Sequence, residues 1–93
     1  GVYWIELKLR RGEGPLELLR NGSAAGVLDS ENIIVYVNPG DIIELRGETD
    51  RGQPAVVEVV STRGLIYPRV GFQVTTYGDY ELIGWAVPGD GEQ

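Results

Sequence analysis

From Tyr3 to Arg10 the chain alternates Ile5, Leu7 and Leu9 with Glu6, Lys8 and Arg10. A period of two marks a β-strand with one buried face, because successive side chains leave the pleat on opposite sides. The same strand-like character recurs along the chain, and turn residues interrupt it every eight to twelve positions. Asn21-Gly22 sits between two short segments, "LELLR" and "SAAGV", and is a strong hairpin signal, since a type I′ turn needs positive φ at both central positions.

The stretch "IIVYVNPGDIIEL", residues 33–45, reads in the same way. Pro39 has its φ preset for the second position of a turn and Gly40 accepts the positive φ of the third. The β-branched runs on either side are expected to pair as an antiparallel hairpin, with Asp41 a turn flank whose replacement by Asn should do little. "AVVEVVST" supplies a further strand. In "LIYPRVGFQVTT", Pro68 and Gly71 suggest an edge strand or a bulge. In the final "YELIGWAV", a bulge at Gly84 would let Leu82 and Trp85 both point inward, with Trp85 anchoring the core.

Many short strands at regular spacing indicate an all-β chain. We expect a single antiparallel β-sandwich, immunoglobulin-like, of about seven to nine strands, with a small β-barrel as the alternative. Ninety-three residues allow one domain with one small core. Residues 1–87 are expected to form it, and 88–93 a flexible acidic tail. The lack of a methionine suggests a piece excised from a larger, bacterial-type protein, and the arginine-rich basic set suggests a GC-rich genome or a thermophile.

The chain has no Cys and no His, which removes thiolate nucleophiles, imidazole acid–base catalysis and the usual zinc ligands. Serines and threonines are left without an imidazole to activate them. We therefore expect no enzyme and no cofactor. A net charge of −6 repels a phosphate backbone, so no nucleic-acid partner is expected. The apolar runs are too short for direct membrane insertion.

Three constellations could still carry a function. "NIIVYV" and "AVVEVV" are apolar on both faces, so Ile34, Tyr36, Val56 and Val60 would form a patch covered by a protein partner, by a neighbouring domain of the parent chain, or by a second copy in a weak homodimer. Trp4, Tyr67 and Tyr77 are candidates for stacking against a sugar. Asp29, Glu31, Glu48 and Asp50 are weak candidates for calcium, without EF-hand spacing. The leading expectation is a non-catalytic interaction or accessory module on the extracytoplasmic or cell-envelope side. A carbohydrate-binding module using exposed aromatics and acidic loops is the alternative.

Overall fold

The computed structural model describes residues 2–47, 49 and 52–89. These form an all-β sandwich with no α-helix. Ten strands run in order: β1 (Tyr3–Arg11), β2 (Leu16–Arg20), β3 (Ser23–Leu28), β4 (Ile33–Val37), β5 (Ile42–Arg46), β6 (Ala55–Arg63), β7 (Leu65–Tyr67), β8 (Gln73–Thr76), β9 (Glu81–Trp85) and β10 (Val87–Pro88). One sheet has the order β4-β1-β6-β8, the facing sheet the order β3-β2-β5-β9, and β10 and β7 make a separate two-stranded ribbon. Every paired strand is antiparallel to its neighbour.

The two sheets share one logic. β1–β2, β3–β4, β5–β6 and β8–β9 are four long ribbons, each bent once so that one half lies in each sheet. The bends at 12–15, 29–32 and 77–80 gather at one end with the end of β5 and the start of β6, as the pairing of Arg11 with Val56 and of Ala55 with Thr76 requires. In an immunoglobulin domain the first two strands lie side by side in one sheet. Here β1 and β2 lie in different sheets, so the strand order differs from the expected one although the two-sheet form is kept.

The inward set follows the period-two pattern. Ile5 and Leu7 of β1, Val35 and Val37 of β4, and Ala55, Val57 and Val59 of β6 meet Leu16 and Leu18 of β2, Ile43 and Leu45 of β5, and Ile83 of β9. The Asn21-Gly22 turn forms as expected, with φ of 53° and 82°.

The Pro-Gly-Asp segment is a turn, with Gly40 at φ 88° and the Asp41 amide donating to the Asn38 carbonyl over 3.0 Å. It does not, however, join a hairpin. β4 pairs with β1, and β5 pairs with β2 and β9, so the turn carries the chain from one sheet to the other across the end of the sandwich. What holds it there is a set of bonds to other segments. Asp41 accepts from the Asn38 amide at 2.8 Å and from the Asn21 side chain at 2.9 Å. Asn21 exchanges two bonds with Ile42, and the Gly40 amide and Asp41 carbonyl both bond Ala86.

Asp41 is thus more than a replaceable flank. The Asn38 amide, then the Asn21 amide, with Arg20 adding to them, hold its carboxyl below the ordinary value. A carboxyl depressed on folding contributes stability above its unfolded pKa of about 4, and that stability is lost as pH falls through the folded value. Asp41→Asn is expected to cost about 0.5–1 kcal/mol at pH 7, allowing for solvent screening. The two proteins should converge below pH 4. Urea midpoints from pH 7 to pH 3 check this: a constant gap over the whole range would show that the charge is not involved.

One further expectation is corrected and another is met in part. The bulge in β9 is present: Ile43 pairs with Gly84 and Glu44 with Leu82, which leaves Ile83 as the extra residue. It keeps Ile83 and Ala86 buried and places Leu82 and Trp85 on the same face, but that face is the outer one. The reason is register, since Leu82 and Trp85 sit opposite outward-facing Glu44 and Ile42. Of residues 65–76, expected as an edge strand or a bulge, 73–76 do form the edge strand β8 of a main sheet, whereas 65–72 do not. β7 pairs only with β10, and 68–72 loop back towards β6 and β8. Because Pro88 pairs with Leu65 and the Gly89 amide bonds the Gly64 carbonyl, the ordered β structure passes the expected boundary at 87. Residues 90–93 lie outside the described set.

Candidate functional site

Large apolar side chains are exposed unevenly over this molecule. Tyr67, Phe72, Leu82 and Trp85, each about half exposed, surround one cleft together with Pro68, Arg69, Ile83, Gly84 and Val87. Its volume is about 480 Å³, inside the usual range for a binding pocket, and it is open to solvent along one side.

The cleft follows from the fold. β9 is the last strand of its sheet and no strand pairs with its outer edge among the described residues. The chain continues from β9 into β10, which holds β7, and β7 throws out the loop 68–72 beside β9. Pro68 is buried and would lie 3.8 Å from a Cβ placed on Gly84. The loop is anchored by backbone bonds, from the Gly71 amide to the Val59 carbonyl at 2.7 Å and from the Val59 amide to the Phe72 carbonyl at 2.9 Å. One wall is therefore β9 and the other a fixed loop.

Arg69 is the only charged residue of the lining among the described residues. Its guanidinium lies over the Tyr67 ring, 5.4 Å from the centroid, and it reaches the Tyr67 hydroxyl at 3.5 Å. Arg10 and Arg46 are ion-paired, with Glu58 and Glu17; Arg69 has no carboxylate within 4.0 Å among the described residues. Arg46 also lies over Tyr80 and donates to its hydroxyl at 3.0 Å.

The residues singled out from sequence are dispersed. Ile34 and Tyr36 are exposed on the edge strand β4, opposite Glu6 and Trp4. Val56 and Val60 are half-buried on the outer face of β6, with β1 lying between β6 and β4. Val56 pairs with Arg11 and Thr75 near the bends, so Glu6, Lys8 and Glu58 stand between it and Ile34. Glu58 accepts from Arg10 at 2.7 Å and from Gln73 at 3.0 Å; these bonds, Arg10's first, lower its carboxyl pKa.

Among the proposed stacking residues, Tyr67 lines the cleft, Trp4 is half-buried on the outer face of β1, and Tyr77 is exposed in the 77–80 bend. The three do not share a surface. Asp29 and Glu31 are exposed in the 29–32 bend, and Glu48 and Asp50 lie outside the described residues. No group of three or more acidic side chains suited to a metal ion occurs among the described residues.

Sequence reasoning missed the cleft. The available signal was "LIYPRVGF": bulky apolar residues interrupted by Pro68 and Gly71, and so unable to bury themselves as a central strand would. Comparisons with protein-family models, with curated proteins and with solved structures find no match.

Proposed function

We propose that this chain is a non-catalytic interaction module that docks a protein partner through the cleft between β9 and the 68–72 loop. One observation carries this reading: half-exposed Tyr67, Phe72, Leu82 and Trp85 converge on a single cavity instead of being scattered over the surface. Contiguous exposed apolar surface of that kind is characteristic of interaction sites, and aromatic residues are enriched at their centres. The cleft is open along one side, which suits a protruding segment of a larger partner better than a small ligand that must be mostly enclosed.

The module resembles immunoglobulin-like domains in size and two-sheet form while winding its strands in another order. Its placement on the extracytoplasmic side of a bacterial-type protein is part of the proposal and rests on exclusion.

A second reading, carbohydrate binding, is favoured by a different surface. On the outer face of the β4-β1-β6-β8 sheet, Tyr36, Trp4 and Arg63 stand in one row, and Ile34, Glu6 and Ser61 in the next. The Asn32 side chain donates to Glu6 at 3.0 Å. Rings flanked by an amide, a carboxylate and a hydroxyl suit sugar hydroxyls better than the cleft, which offers only Arg69 and the Tyr67 hydroxyl.

NMR titration of ¹⁵N-labelled protein with the peptide N-acetyl-Gly-Gly-Phe-amide tests the first reading. Shifts are expected at the amides of 67–72 and 82–87 and at the Trp85 indole, and the double change Leu82→Ser with Trp85→Ser should abolish them while leaving the fold intact. A glycan array that shows binding lost on Trp4→Ala, with no peptide response at the cleft, would replace this reading with the second.

A further inference from the structure

Resting on the cleft as the docking site, we infer that its partner is a peptide chain ending in a bulky apolar residue, with the side chain in the cleft and the terminal carboxylate on Arg69. The lining divides the cleft chemically. Phe72, Leu82, Trp85 and Val87 offer contacts for an apolar body, and Arg69, the one cation of the described lining, stands at Tyr67. With the guanidinium over the ring, its N–H groups other than the one at the Tyr67 hydroxyl can receive a carboxylate, and the planar fork of arginine suits two parallel bonds to its oxygens.

Arg69 is the charged group that the described lining of the cleft contains. Acidic side chains outnumber basic ones by 14 to 8, yet Arg69, like Arg11, Arg20 and Arg63, has no carboxylate within 4.0 Å among the described residues, and the described lining contains no acid. An anion at this point is therefore locally complementary. The net charge of −6 nevertheless repels an acidic segment at longer range. A single carboxylate at a chain end meets both conditions, whereas a run of acidic residues meets only the first.

The β9 edge argues against the other familiar mode, in which a partner adds a strand. The bulge at Ile83-Gly84 interrupts the regular spacing of amides and carbonyls that an added strand needs. Side-chain insertion and end-group pairing remain as the means of recognition.

The experiment compares N-acetyl-Gly-Gly-Phe as the free acid with the corresponding amide, by NMR titration at low ionic strength. The acid is expected to bind about five-fold more tightly, the size of a solvent-exposed ion pair. The advantage should vanish in Arg69→Gln, which should bind the amide as the unaltered protein does, and it should shrink with added salt. Equal affinity for acid and amide, or an acid preference that survives Arg69→Gln, overturns the inference while leaving the cleft as docking site. Absence of cleft shifts with both peptides overturns the inference and the docking site together.

Discussion

Gly12→Ala is expected to lower stability by about 3 kcal/mol or more, combining a forbidden contact with backbone strain. Gly12 begins the bend between β1 and β2 at φ +81°, a conformation that L side chains rarely adopt. A Cβ there would stand 2.6 Å from the Pro54 carbonyl oxygen and 2.8 Å from the Ala55 Cα. Both are backbone atoms, and Ala55 is fully buried at the start of β6, so neither can turn aside as a flexible side chain would. Gly40→Ala is the control. Its φ of +88° is as unfavourable, but a Cβ there meets nothing within 4 Å, so only the conformational cost of about 1 kcal/mol should appear. Urea denaturation of both variants decides the point, and equal losses would mean that the bends at residues 12 and 54 do not approach closely.

The second large effect is expected at Leu18. It lies in the middle of β2, between β3 and β5, with no exposed surface. Leu18→Ala removes atoms from the centre of a small core and should cost about 2–5 kcal/mol, depending on how far the site collapses. Trp85→Ala removes a much larger side chain. Trp85 is 55% exposed, and its loss should cost less than about 1 kcal/mol. Thermal melts of the two variants give the comparison directly. A larger loss from Trp85→Ala would place the indole in the core and close the cleft.

That contrast shows what the sequence can and cannot convey. Alternation in β1 placed Ile5, Leu7 and Leu9 on one face and Glu6 and Lys8 on the other, because from Tyr3 to Leu7 that strand pairs residue for residue with β4. Asn21-Gly22 announced its hairpin because positive φ at two adjacent positions is a local demand with a local solution. β9 carried a bulge signal in Gly84, but a bulge only resets the phase of a strand. Which face then turns inward depends on the partner strand, and β5 assigns Ile42 and Glu44, hence Trp85 and Leu82, to the outside. The Pro-Gly-Asp turn was legible as a turn for the same local reasons. Whether it closed a hairpin or crossed between sheets depended on the pairing of β1 with β4, some thirty residues apart. The cleft was least legible, since its two walls meet only after β7 and β10 have paired.

The four bent ribbons are also laid side by side in an order tied to the chain. The first ribbon, β1–β2, receives β3–β4 along one flank and β5–β6 along the other, and β8–β9 then attaches to the flank of β5–β6. Each ribbon lies beside one that precedes it in the chain. A polypeptide leaving the ribosome therefore finds an existing edge for each newly emerged ribbon and never has to part strands already joined. Lateral order in the sandwich thus follows chain order, with the β9 wall of the cleft in the ribbon farthest along both.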